Sequence, residues 1–201
     1  MTTPYATPDD VKSNLTGDTP NFSGNWTTTL TSIIADVQSE LDNEVIQGRG
    51  ITAAWSFVAD SAASARQFTG RRGNRGWLAI DDCVSISSVT ENGIALVAGV
   101  DYITDPIQGT PIVGLVRLNG SWSFGPGAIT VVAKWGYAIT CPGDVHRATI
   151  TESIRVFLAN RAGNDDRLGI TPFGQVVTSK AFTNRTLRLI SRYSRAGGIP
   201  R

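Results

Sequence analysis

One histidine, His146, and two cysteines, Cys83 and Cys141, are all the soft metal ligands in a chain of 201 residues. With 57 residues between the cysteines and no second histidine, no zinc spacing exists, and neither a metal nor a cofactor is expected. Two thiols make no disulfide framework in a chain this size, so both are expected reduced, in a protein made in the cytosol. A Ser-His-Asp or Cys-His site would have to use His146, five residues after Cys141 in the first turn of an expected helix. A thiolate at a helix N-terminus beside an imidazole is conceivable chemistry. A surface histidine near an incidental cysteine is the commoner arrangement, and no catalytic residue is assigned. Charge is also scarce, at 17% Asp, Glu, Lys and Arg against roughly 25% in a typical soluble domain. No run approaches the roughly 18 apolar residues that a membrane span needs. Residues 1–20 carry no apolar stretch of a secretory signal. A membrane role is therefore not expected.

What the chain does have is glycine, 21 residues of it. Many glycines with little charge suit a β-rich protein with tight turns, or one that hides much of its surface in an assembly. The net charge of +1 conceals two opposed ends. Residues 1–48 carry seven acidic side chains against Lys12 alone, a net of −6, and residues 161–201 carry eight basic ones against Asp165 and Asp166, a net of +6. Such ends suit an internal match or head-to-tail contacts between copies.

The local signals divide the chain. "TPDDVKSNL" opens a short helix over 7–16, with Thr7 as cap, Pro8 at the first helical position and two aspartates at the positive end of the dipole. Leu30, Ile33, Ile34, Val37, Leu41 and Val45 form one apolar stripe of a helix over 26–47; Asp36, Glu40 and Glu44 fall on another face, and Gly48 is the expected stop. From 49 to 141 short strands alternate with turn signals, giving about six: "ITAAWSFVADS", "WLAI" with "CVSISSVTE", "NGIAL", "GVDYITDP", "VGLVRLNG", "SWSFGPG" and "AITVVAKWGYAIT" supply them. A helix over 144–162 follows, capped by Asp144, with Val145, Ala148, Ile154, Phe157 and Leu158 toward a core. "GITPFGQVV" is short and extended, and "SKAFTNRTLRLISRYSR" is a final amphipathic helix. The fold class expected is α+β: a small helical bundle with an inserted antiparallel β-region and a C-terminal basic helical arm.

The remaining motifs carry little chemistry. Asp81–Asp82 and Asp165–Asp166 are carboxylate pairs in or beside expected loops, where adjacent aspartates are ordinary. "FTGRRGNRG" holds Arg71, Arg72 and Arg75 but not the phosphate-cradling GxxxxGK[ST] pattern. It is expected as a basic loop touching a partner or DNA, or as a solvated hairpin tip. Trp26, Trp55, Trp77, Trp122 and Trp135 would stack on bases or sugars if exposed, but aromatics at strand positions are more often core. In the last helix Arg185, Arg188, Arg192 and Arg195 recur at steps of three, four and three, so all four share a face. Phe182, Leu189, Tyr193 and Ile190 lie roughly opposite.

One ordered combination of residues has a wider resemblance. Val89, Gly93, Leu96, Gly99, Asp101 and Tyr102 form a hairpin pattern; Val131, Trp135, Gly136 and Tyr137 end a strand; Pro142, Asp144, Val145 and Ala148 open a helix. With the "YATPDDVK" entry and the long acidic helix, this resembles the head–tail connector, or adaptor, proteins of tailed bacteriophages. The resemblance covers most of residues 5–162; beyond that it extends only to helical, basic character. It implies residues 1–162 as a single adaptor domain with the β-region inserted, and 163–201 as a linker and basic docking arm. It also implies a twelvefold homo-oligomeric ring beneath the portal protein, a surface for a downstream neck or tail protein, retention of packaged DNA, no catalysis, and a place in the virion neck after assembly in the host cytoplasm. A neck stopper or tail-completion protein is the close alternative, and a nucleic-acid-binding module the alternative of another class. The arginine stripe has three readings: portal docking, with Phe182, Leu189 and Tyr193 in apolar grooves and Arg185, Arg188, Arg192 and Arg195 on carboxylates; phosphates of DNA in the channel lumen; or a helix closing its own core with its charged face in water. Arg71, Arg72, Arg75 and the "TDPIQGTP" segment are candidates for reaching a neighbour.

Overall fold

The computed structural model describes residues 3–15, 26–49, 55–70, 76–161, 167–170, 176–178 and 182–194. The chain is α+β, and its contacts divide it into a β unit, built mainly from residues 52–141, and a helical unit built from 4–51 and 142–201.

The helical unit holds α1 (Pro8–Asn14), α2 (Trp26–Arg49), α3 (Gly143–Arg161) and α4 (Asn184–Ser194), with a two-stranded antiparallel ribbon. The start signals of α1 act as expected: Thr7 accepts from the Asp10 amide and Asp10 reaches back to the Thr7 amide, a closed capping box. All six apolar residues expected along α2 are buried, and Phe157 of α3 meets Trp26 edge to face at 5.3 Å between ring centroids. Gly48, the expected stop of α2, is its last residue but one. It lies where α2 meets α4, and a Cβ there would collide with the Ser194 side chain. In α3 the expected core residues Val145, Ala148 and Phe157 are buried, but Leu158 is 47% exposed. Ile154 is half-buried, and the polar residues Thr149, Glu152 and Ser153 of the same helix are buried.

The β unit is one antiparallel sheet of six strands: β1 (Ser64–Phe68), β2 (Trp77–Glu91), β3 (Ile94–Leu96), β4 (Tyr102–Asp105), β5 (Ile112–Arg117) and β6 (Ile129–Trp135). The order is β1-β6-β2-β5-β4, with β3 hairpinned onto β2 through the Asn92–Gly93 turn. Three boundaries differ from the sequence expectation. The described part of "ITAAWSFVADS", residues 55–61, forms no strand and meets Trp135–Ala138 through backbone hydrogen bonds and one bridge, Val58 to Ala138, while Ser64–Phe68 forms β1. "WLAI" and "CVSISSVTE" are one strand, because Asp81 and Asp82 do not break it. Neighbours in a strand point to opposite faces, and each carboxylate finds a partner: Arg66 Nη1 at 2.7 Å from Asp81, and the Trp55 indole N–H at 2.9 Å from Asp82. "SWSFGPG" is a turn region, with Gly125 and Gly127 at positive φ.

Four of the five tryptophans settle into this unit; Trp26 begins α2. Trp55, Trp122 and Trp135 are buried, and each indole N–H is satisfied: on Asp82, on the Gly76 carbonyl at 2.8 Å and on the Ser64 carbonyl at 2.9 Å. Trp77, half-buried, donates to Asp105 at 2.9 Å. Their bodies are core, not a stacking platform for bases.

Gly136 explains the glycine of the Trp-Gly-Tyr strand end. Its φ is +136°, and a Cβ there would stand 2.5 Å from the Ala59 Cα and 2.9 Å from the Val58 carbonyl oxygen. Those atoms are backbone and have no side chain to swing aside. Gly136→Ala is therefore expected to destabilise the β unit by about 2–4 kcal/mol, from strain plus overpacking, read as a fall in the denaturant midpoint at unchanged slope. An unshifted midpoint would show that the strand end relaxes freely.

Candidate functional site

Three polar side chains of α3 and the loop before α4 decide where α4 lies. The Glu152 carboxylate is fully buried. Its Oε1 accepts from the Thr183 amide at 2.9 Å, the Thr183 hydroxyl at 2.8 Å and the Thr186 hydroxyl at 2.6 Å. Its Oε2 accepts from Arg155 Nε at 2.9 Å. The first amides of a helix have no partner within it, and Thr183 Oγ1 accepts one of them, from Thr186. Glu152 completes this cap from another helix and brings negative charge to the positive end of the α4 dipole. Burial pushes its pKa up, yet the bonds from Thr186, Thr183 and Arg155 outweigh that and leave it below the ordinary carboxylate value. At the far end the Tyr193 hydroxyl donates to Asp144 at 3.0 Å, and Arg192 lies 3.5 Å from the same carboxylate.

Held at both ends, α4 buries Phe182, Thr186, Leu189, Ile190 and Tyr193 within the helical unit. The three apolar residues expected in a partner's groove, Phe182, Leu189 and Tyr193, are thus occupied in their own core. Arg185, Arg188 and Arg192 point outward, exposed, as the three-and-four spacing requires. Arg195 lies outside the described residues, as do Arg71, Arg72 and Arg75. Between α3 and α4 runs an open groove of about 560 Å³, lined among others by Asp144, Arg147, Arg185, Arg188, Leu189 and Arg192. The sequence reading missed Arg147, because α3 was read only for its apolar face. It missed Glu152 too; a carboxylate five residues before Phe157 on a core-facing arc was the available signal.

The fold absorbs Asp81, Asp82, Cys83 and His146, while Asp165 and Asp166 lie outside the described residues. Cys83 is buried, and burial first, then Asp82 and Asp81, push its thiol up to about 12, far from a reactive thiolate. His146 Nε2 is 3.4 Å from Asp10 Oδ2, and the hydrogen bonds of Thr7, followed by His146, hold that carboxyl below its usual value. Among the described residues no group of three His, Cys, Asp or Glu could hold a metal ion, and no helix is long and apolar enough to cross a membrane. What the groove can do is bind an anion: planar guanidinium forks pair bidentately with carboxylate or phosphate.

No protein-family model matches the chain, and no curated protein matches it. Solved structures do. A chain of the virion of the native gene transfer agent particle superposes with a TM-score of 0.55 at 15% identity, over 96% of this chain and 92% of that one. A chain of the neck of the empty particle, computed with C6 symmetry, gives 0.53 at 12% identity, over 87% and 81%. A chain of the neck of the native particle, computed with C12 symmetry, gives 0.50 at 12% identity, over 82% and 81%. At these identities the fold is what is shared, and it is consistent with the head–tail connector resemblance drawn from the residues.

The Glu152 cap has a measurable consequence. Because its folded pKa is lowered, its contribution is complete above the ordinary carboxylate range and is lost as pH falls through the lowered value. Glu152→Ala, which removes the acceptor of three donors at the head of α4 and of Arg155 Nε, is expected to destabilise the helical unit by about 3 kcal/mol or more. Hydrogen exchange of the 184–194 amides should accelerate. In Glu152→Gln the acid-side loss of protection should flatten; wild-type acid dependence in that variant would remove Glu152 as its source.

Proposed function

We propose that the chain is a structural virion protein, a head–tail connector of the adaptor kind that forms a ring on the portal vertex, joins head to neck or tail and helps retain packaged DNA. The observation that carries this reading is a fold shared over nearly the whole chain with chains of gene transfer agent virions and necks. The C12 and C6 symmetries of those necks support a ring of copies, twelve in the family resembled. The residue chemistry supports a non-catalytic role, since the carboxylate pair in β2, the buried thiol and the histidine all serve packing or capping.

In this reading the C-terminal end of α4 faces the portal. Arg192, 76% exposed, and Arg195 just beyond the described helix meet portal carboxylates. The apolar anchors expected beside them belong to the bundle, so docking is electrostatic, with an on-rate that falls with salt. The loop of Arg71, Arg72 and Arg75 and the 104–111 connection, with Ile107 71% exposed, are the surfaces proposed for the next neck protein.

Removing residues 180–201 would take Phe182, Leu189 and Tyr193 out of the core, so the sharper test is Arg192→Ser with Arg195→Ser. Wild-type protein mixed with its portal is expected to give stacked rings by electron microscopy, and the double variant to bind about tenfold more weakly or worse. Unchanged affinity would remove these two arginines from docking. No association between wild type and portal would overturn the adaptor role in favour of a neck stopper or tail-completion protein.

A further inference from the structure

Among the described residues, two charged surfaces of the helical unit have few partners of the opposite sign. Asp36, Glu40 and Glu44 are exposed on α2 at steps of four, which spreads three carboxylates along about 12 Å of one side of the helix. Like charges at that spacing weaken a helix. The Glu40 carboxyl registers this: its pKa is raised, first by partial burial and then by Asp36, with Arg155 acting against the rise. On the α3–α4 groove, Arg147, Arg185 and Arg188 are exposed. Arg192 has Asp144; among the described residues no carboxylate stands within ion-pair distance of the other three, nor any cation within that distance of Asp36, Glu40 or Glu44. The stripe and the groove therefore do not neutralise each other within one copy.

We propose that the α3–α4 groove of one copy receives the Asp36–Glu40–Glu44 face of α2 from the next copy, an inference that rests on the ring reading. Three guanidiniums meet three carboxylates. The open groove of roughly 560 Å³ is also lined by Leu189, against which the methylenes of the carboxylate side chains pack. The two patches differ, so the contact is head-to-tail: each copy that offers its stripe leaves its groove open to another, and such a contact closes into a ring when the rotation allows. The sequence bears the same pattern at large, a −6 end and a +6 end in a chain of net +1, so copies assemble without accumulating charge.

Charge exchange tests this in the full-length chain. Arg185→Glu with Arg188→Glu makes the groove acidic; Glu40→Arg with Glu44→Arg makes the stripe basic. All four positions are exposed, and circular dichroism checks that each variant folds. Assembly is measured by mass photometry of the free chain and by electron microscopy on the portal. Each double variant is expected to need at least about tenfold more protein to assemble, and an equimolar mixture of the two, like the fourfold variant, to recover. Undiminished assembly by either double variant, or loss that neither mixing nor the fourfold variant repairs, overturns the proposal. If the groove variant assembles normally but loses affinity for a DNA duplex, the groove is a phosphate site and the proposal also falls. Wild type that forms no ring, free or on its portal, instead defeats the ring reading beneath it.

Discussion

Everything the C-terminal helix can do depends on a carboxylate it does not carry. An eleven-residue helix is marginal in water, and its first amides have no acceptors of their own. Glu152, buried on α3, accepts from the residues that begin α4 and shares its charge with Arg155. A carboxylate in that place is stable only while all its donors are present, and the donors are ordered only while it stays ionised. The arrangement converts a weak helix into a fixed wall of the bundle. The arginines on the outer side of that wall are then presented at a set spacing, with the backbone already ordered before docking.

The β unit solves a similar problem by different means. Its core is rich in tryptophan, and a buried indole brings an N–H that must be bonded. Asp82 and the carbonyls of Gly76 and Ser64 take three of these. A second charged pair, Arg117 and Glu91 at 3.2 Å, lies partly buried beside Trp122, with Glu91 also accepting from the Ser123 amide at 2.6 Å. These groups tie the turn regions to the sheet. They also explain why so many polar residues that resemble chemistry in the sequence are absorbed by the fold.

Much of this was legible in the sequence, and the failures share a cause. The α1 cap, the apolar stripe of α2, the Asn-Gly hairpin and the amphipathic last helix were all readable because each is a local pattern. Asp81 and Asp82 suggested a loop because aspartates are poor strand residues; the strand survives because Arg66 and Trp55 arrive from elsewhere in the chain. Gly48 suggested a helix end because glycine often marks one, but what demands it is the approach of α4. Glu152 and Arg147 went unnoticed because a charge on an amphipathic helix is ordinarily in water, and only the third dimension shows one facing a cap and the other a groove. For Asp81, Asp82, Gly48 and Glu152 a long-range partner overrode a local preference.

The placement of charge is the last link between fold and function. A chain with only 17% charged residues that wished merely to remain soluble would do well to intersperse the two signs, since mixed surfaces carry no large field. Here the acidic residues gather along α2 and the basic ones along α4 and the groove beside it, although like charges in one stripe weaken each helix. Segregation of that kind lowers the stability of the isolated copy and raises its attraction for a surface of the opposite pattern. Both patterns are on the same molecule, on side chains that the bundle holds outward; among the described residues of the two patterns, Arg192 alone has a partner of opposite sign within ion-pair distance, Asp144. On the contact proposed above, the stripe of each copy fills the groove of the next, and a closed ring leaves no stripe and no groove unfilled.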